Sequence, residues 1–249
     1  MINRILRAAA ATALLTVTCW AAAGEPAAKA ISDKLRAALS QPAMGLEVAT
    51  VETSVIPGLY EVQFASGPVI YATADGGYFI LGDMFMVGEK GYTNLTEKRR
   101  DTERLAVLGG VKEKDMIIFA AEGERRAQVT VFTDVSCFYC QKLHKEVPEL
   151  NKRGVEVRYL AYPRAGLDSP GFSQLATAWC AANPQDALTR LKSQQPVPEN
   201  VCADNPVAAQ YELGQKLGVR GTPAIITEDG TLIPGYQSAD DLMVTIGLN

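Results

Sequence analysis

The chain has 249 residues, 47% of them apolar and 21% charged, with 24 Lys and Arg set against 28 Asp and Glu. This is enough apolar material for one large or two modest globular domains. The formal charge of −4 argues against a nucleic-acid partner.

Residues 1–23 read as a cleavable signal peptide: Arg4 and Arg7, an apolar run from Ala8 to Val17, then Ala21-Ala22-Ala23 before Gly24. The run is shorter than the roughly 20 residues that span a bilayer. Lipid attachment at Cys19 is the alternative, but Val17 and Thr18 stand where lipoprotein signals carry small residues. Once the leader is removed, 22 basic residues face 28 acidic ones, a charge of −6, and four cysteines remain at 137, 140, 180 and 202. An even number of cysteines suits an exported protein, where disulfides persist.

From Ser32 to Leu39 the apolar positions Ile31, Leu35, Ala38 and Leu39 follow helical spacing, with Ser32 as the expected N-cap. Strands follow, at Tyr60 to Phe64, at Val69 to Tyr71 and, beyond the turn Asp75-Gly76-Gly77, at Tyr78 to Leu81. So small a sheet hides only part of its apolar surface and leaves edge strands open, which points to self-association.

Asn94 to Leu108 reads as a helix that is polar nearly all round, ended by Gly109-Gly110 and suited to connect two domains; a loose surface helix is the alternative. Val129 to Thr133 is a buried-strand pattern running into Cys137-Phe138-Tyr139-Cys140, after which Leu143, Val147 and Leu150 mark a helix. Val155 to Tyr159 reads as a strand, and Phe172 to Ala182 and Val207 to Leu217 as helices. The stretch with Pro184, Pro196 and Pro198 reads as loop. Ala224 to Thr227 and Thr231 to Ile233 form a hairpin around Glu228-Asp229-Gly230, and Ser238 caps a last helix to Ile246. The C-terminal part is therefore α/β.

A CxxC at a helix start puts both sulfurs on one side of the first turn, where unpaired N–H groups and the dipole stabilise a thiolate. Cys137 is then the nucleophile, and Cys140, one turn deeper, resolves the mixed disulfide. A structural disulfide or half of a zinc site competes with this reading. Zinc needs two more ligands, however, and His144 is the only histidine, so no metal is expected. A bridge across two residues also constrains the unfolded chain little. Cys180 and Cys202, 22 residues apart, read as a structural disulfide, with a second redox pair as the alternative. His144 is read as facing solvent, a modest shift of a thiol pKa being the other possibility. Thr222-Pro223 is from spacing alone a turn.

Val129-Thr130-Val131-Phe132-Thr133-Asp134, the CxxC, Lys142-Leu143-His144, the run from Val157 to Arg164, Gly166-Leu167-Asp168-Ser169 and the run from Leu232 to Gln237 together resemble the DsbC/DsbG family of disulfide isomerases, closest to the DsbC form. The resemblance covers residues 110–249 by motif and the upstream part by layout. It implies an α+β chain in four parts: the signal peptide at 1–23, a small antiparallel-sheet dimerisation domain at 24–92, a linker helix at 93–110, and at 111–249 a thioredoxin-like catalytic domain with a helical insertion. It also implies a homodimer with a shared apolar cleft, an exposed Cys137 sulfur and a structural Cys180–Cys202 bridge. Pro223 is expected to be cis and to oppose the CxxC. Thr222, Pro223, Phe138 and Tyr139 are candidate substrate-binding residues.

The implied activity is disulfide isomerisation and reduction on misfolded exported proteins in the periplasm, with chaperone activity, no cofactor, and a DsbD-type membrane reductase as electron donor. A DsbA-like dithiol oxidase and a redox-independent chaperone are the competing functions. Three departures stand out. Phe138-Tyr139 replaces the family's Gly-Tyr or Pro-Tyr, Gln141 stands where the DsbC form has histidine, and Val131 occupies the position of the buried acid of thioredoxin and DsbA. The first two bear on redox poise. The third leaves the proton route to Cys140 open.

Overall fold

The computed structural model describes residues 24–65, 67–89 and 91–248. The expected signal peptide, with Cys19, lies outside the described residues. The chain forms two compact units that part between Gly82 and Asp83.

In the first unit, helix α1 (Lys29–Leu39) lies against a four-stranded antiparallel sheet of β1 (Val48–Thr53), β2 (Leu59–Phe64), β3 (Val69–Thr73) and β4 (Phe79–Leu81), in that order. Leu35 is fully buried among Val48, Val51, Val62, Phe64, Ile70 and Ala72. The helix starts before the expected Ser32 cap: Ala28 occupies the N-cap position without a side-chain bond, because the apolar stripe through Ala27, Ile31 and Leu35 begins a turn earlier. Strand β1 had no sequence signal. A bulge between Val48 and Thr50 resets its register, so that Val48 and Val51 both reach the core although they are three residues apart. At the free edge, all three residues of β4 are exposed.

The second unit begins with the hairpin β5 (Phe85–Gly88) and β6 (Gly91–Asn94) and the helix α2 (Leu95–Leu108). The hairpin carries exposed apolar residues on every position of β5, which hides the alternation that would announce it. Asn94 caps α2 by accepting from the Glu97 amide at 2.9 Å.

The expectation of a helix polar all round missed its packed face. Arg104 is buried, Val107 and Leu108 join a hydrophobic cluster, and the turn at Gly230 approaches so closely that a Cβ there would sit 2.1 Å from the Asp101 carbonyl. Gly230 also has φ +88°, a conformation open mainly to glycine.

The main sheet has the order β11-β10-β8-β9-β7, formed by β7 (Ile117–Phe119), β8 (Ala127–Thr133), β9 (Val155–Ala161), β10 (Ala224–Thr227) and β11 (Leu232–Pro234). Only β8 and β9 run parallel. The period-two alternation of β8 feeds two cores. Val129 and Val131 pack with α3 (Phe138–Lys152), α4 (Pro170–Trp179), α5 (Pro184–Lys192) and α7 (Ala239–Thr245), whereas Phe132 packs with Tyr162, Leu217 and Ile226 on the other side. Helix α6 (Val207–Lys216) lends Tyr211 and Leu213 to that second cluster.

Helix α5 corrects the loop reading of the proline-rich stretch. Pro184 occupies the first turn, where its missing N–H costs nothing, and Asn183 caps the helix by accepting from the Asp186 amide. Ser238 caps α7 through the Asp241 amide. Among the described residues no helix is long and apolar enough to cross a membrane.

Candidate active site

The end of β8 delivers the chain into a tight turn held by Asp134. One carboxylate oxygen accepts from the Ser136 amide and hydroxyl, both at 2.8 Å; the other accepts from the Arg164 amide at 2.9 Å and its Nε at 3.3 Å. The turn places Cys137 at the N-cap of α3 and Cys140 on its first turn, and the Gln141 side chain braces the loop by donating to the Val135 carbonyl at 2.9 Å.

Both thiols are free, and both are buried, Cys137 at 3% and Cys140 at 1% exposure. The implied exposed sulfur at Cys137 is therefore corrected. The turn between β10 and its preceding loop closes over it, with Thr222-Pro223 in the cis form and the Cys137 thiol donating to the Thr222 carbonyl at 3.1 Å. What projects outward is Phe138 and Tyr139, 69% and 55% exposed, their rings edge to face. Tyr139 also stacks on Tyr236, whose hydroxyl donates to Glu146 and whose face carries the Lys142 ammonium.

The two sulfurs are pushed in opposite directions. Cys137 is lowered to about 5, chiefly by the hydrogen bond from the Cys140 thiol, helped by Thr222, the Cys140 amide and the Arg164 charge, against the penalty of burial. Burial is the main reason that Cys140 is raised far above the ordinary thiol range, and its role as donor to Cys137 adds to this. In the reduced protein, ultraviolet absorbance of the thiolate should therefore report one sulfur ionising with a midpoint near pH 5, and alkylation of Cys137 should fade as pH falls through that value. Two sulfurs titrating together near the free-cysteine value would contradict this. Because the folded value lies below the unfolded one, the thiolate stabilises the folded reduced form above that range and the contribution is lost as pH drops through about 5.

His144 does not face solvent. It is buried, with Nδ1 3.0 Å from the Tyr159 hydroxyl and Nε2 3.0 Å from the Thr189 hydroxyl. The Thr189 hydroxyl spends its proton on the Gln185 carbonyl, so Nε2–H donates to Thr189 and Nδ1 accepts from Tyr159. Burial and the neighbouring Lys192 charge lower the imidazole to about 3, so it is neutral at physiological pH. The helical spacing seen in the sequence puts His144 on the core face of α3 beside Leu143 and Val147.

Cys180 and Cys202 are joined, with sulfurs 1.98 Å apart. They bracket α5, which carries Lys192 into the interior near the CxxC; nothing in the pattern of this segment, which reads as loop, announces it. Asp134, Arg164 and Tyr236 were likewise seen only as parts of larger motifs. Beside the helix start runs an open groove of about 1040 Å³ whose lining includes Ser136, Gln141, Asp168, Ser173, Gln194 and Glu199. A smaller cleft of about 230 Å³ lies at Arg220, Thr222, Pro223 and Leu232. Among the described residues no cluster of three or more His, Cys, Asp or Glu is arranged to hold a metal.

Comparison with known proteins agrees with this geometry. A thioredoxin-like domain matches residues 112–246, and a disulfide bond isomerase N-terminal domain matches residues 21–97. The thiol:disulfide interchange protein DsbC of Escherichia coli is 38% identical over 199 residues, 80% of this chain and 81% of that one. The Haemophilus influenzae DsbC is 33% identical over 217 residues, covering 87% and 91%. Among solved structures, a disulfide interchange protein from Neisseria gonorrhoeae superposes with a TM-score of 0.50 at 28% identity, over 56% of this chain and 98% of that one. Two domain matches and relatives aligned over four-fifths of their length converge on one answer: the chain belongs to the DsbC family of thiol:disulfide interchange proteins, and is a thiol-disulfide oxidoreductase with disulfide-isomerase function.

Proposed function

We propose that this protein reshuffles incorrect disulfides in exported proteins with Cys137 as nucleophile and Cys140 as resolving thiol. The observation that carries the assignment is the opposed tuning of two sulfurs at one helix start, the first a thiolate at neutral pH and the second held protonated by burial. The Cys137 thiolate attacks a client disulfide, forming a mixed disulfide and releasing one client thiolate. If a client thiol then attacks the mixed bond, Cys137 leaves and the client is isomerised. If Cys140 attacks first, the client leaves reduced and Cys137 and Cys140 are oxidised; a DsbD-type membrane reductase would return them to the dithiol.

Ionisation of Cys137 removes the proton it shares with the Thr222 carbonyl, freeing that acceptor for a client backbone amide beside Pro223. Phe138 and Tyr139 offer apolar rings at the same mouth. Cys180 and Cys202 serve as the structural bridge. The signal-like residues 1–23 support export to the periplasm, and the bridge suits an oxidising compartment.

In this reading residues 24–92 dimerise, 93–110 link and 111–249 catalyse, and unfolded clients are also shielded from aggregation. Support for dimerisation comes from β4, which among the described residues pairs only with β3 and has Phe79, Ile80 and Leu81 all exposed. A dimer mass is expected in sedimentation, and Ile80→Asp should yield monomers that keep dithiol chemistry and lose most isomerase activity; unchanged dimers would remove β4 from the interface. Reactivation of a scrambled multi-disulfide protein in glutathione buffer tests the function itself. Rescue is the expected result, and rapid oxidation of a reduced client without rescue would overturn it.

A further inference from the structure

Cys140 must lose a proton before it can attack, and burial opposes that loss. The familiar acid is missing, because Val131 occupies its position in β8. Asp134 is committed, accepting from four donors on Ser136 and Arg164. Neutral His144 is committed too, to Tyr159 and Thr189.

Lys192 remains. It sits at the end of α5, 3% exposed, with Nζ 2.7 Å from the Thr133 hydroxyl and 5.5 Å from the centroid of the Tyr159 ring. It forms no ion pair among the described residues, and a buried ammonium without a carboxylate is costly enough to call for a reason. The groups that face it are Cys140 and His144 from α3, Asp134 and Cys137 from the turn before α3, Thr133 from β8 and Tyr159 from β9. Among these groups an ionised Cys140 would hold the Lys192 ammonium most strongly, ahead of Asp134 and a Cys137 thiolate.

We propose that Lys192 takes up the proton that Cys140 loses when it resolves a mixed disulfide on Cys137. The proposal rests on the reading of Cys137 as nucleophile and Cys140 as resolving thiol. The Cys140 S–H bond breaks and the proton passes to the neutral Nζ by way of one bridging water molecule. Cys140 then bonds to the Cys137 sulfur while the bond from Cys137 to the client sulfur breaks. The client sulfur leaves with the electron pair and is protonated by water, and the Lys192 ammonium gives its proton back to solvent. Burial brings Lys192 down to about 8, so that acid and base forms are both accessible near neutral pH.

The test follows the reaction of the reduced protein with glutathione disulfide by rapid acid quench and mass spectrometry, which separates attack by Cys137 from release of the second glutathione. In the wild type, the release rate should climb with pH and level off above about 8, where Lys192 is neutral. In Lys192→Met, an apolar side chain of similar length, the ratio of release rate to attack rate should fall at least ~10-fold and the levelling should vanish, leaving a rate that follows hydroxide. An unchanged ratio and profile in Lys192→Met overturns the proposal, and so does a flat wild-type profile from acid to alkaline pH, a result independent of how the variant folds. If no mixed disulfide forms on Cys137 in the wild type, the assignment of Cys137 falls and takes this proposal with it.

Discussion

Cys137→Ala is expected to show no reactivation of a scrambled multi-disulfide protein in glutathione buffer, a loss of at least ~1000-fold, while the folded structure is kept. The size of the effect follows from the chemistry. No other described thiol can replace it: Cys140 is held protonated and almost wholly buried, and Cys180 and Cys202 are bonded to each other. Cys140→Ala should behave differently, holding clients as long-lived mixed disulfides on Cys137 that a gel without reductant reveals. Cys180→Ala should keep the exchange chemistry and lose roughly 3 kcal/mol of stability, the chain-entropy value for a loop of this size. Rescue by Cys137→Ala equal to wild type would sink the assignment; a variant with Cys180→Ala that folds but cannot exchange would make that bridge more than structural.

Arg104→Ala is expected to cost about 3 kcal/mol, seen as a fall in thermal midpoint of roughly 6–12 °C and faster hydrogen exchange along α2. The guanidinium gathers one face of the helix and two backbone turns at one point. It donates to Glu97 at 2.7 Å and Asp101 at 2.8 Å, and to the carbonyls of Leu217 and Gly230, each at 3.3 Å. Truncation leaves two carboxylates and two carbonyl oxygens short of a donor in a region where Arg104 itself is only 5% exposed. Arg104→Lys should recover little, since an ammonium cannot span four acceptors with a planar fork. A thermal midpoint unchanged by Arg104→Ala would show that α2 is held by Val107 and Leu108 alone.

What the sequence disclosed, and what it withheld, follows from how each element buries its residues. The alternation of β2 and the stripe through Leu143, Val147 and Leu150 announce themselves because one face meets a core, and β8 announces itself as a short apolar run because both of its faces do. Strand β1 hid behind a bulge, β5 behind uniform exposure, and α5 behind a proline that in fact suits a helix start. The CxxC was legible because two sulfurs at that spacing have few other uses.

Its surroundings were not legible. The burial of His144, the enclosed Cys137 sulfur and the arrival of Lys192 all depend on elements distant in sequence meeting at Thr133, Tyr159 and Thr222. Arg104 looked like one more surface charge, because two of its four acceptors, the Leu217 and Gly230 carbonyls, lie 113 and 126 residues away.

The Cys180–Cys202 bridge makes this protein subject to the problem it solves for others. Before folding, its four described thiols admit three complete pairings, and the shortest loop, across Cys137 and Cys140, closes most readily. The native arrangement instead needs the pair 22 residues apart to be joined while the neighbouring pair stays free to exchange. Molecules that reach it first carry the chemistry to correct those that have not. If the proposed chemistry acts on this chain as well, its maturation should quicken with the number of finished copies around each new chain, given a supply of reducing equivalents that spares the half-buried bridge.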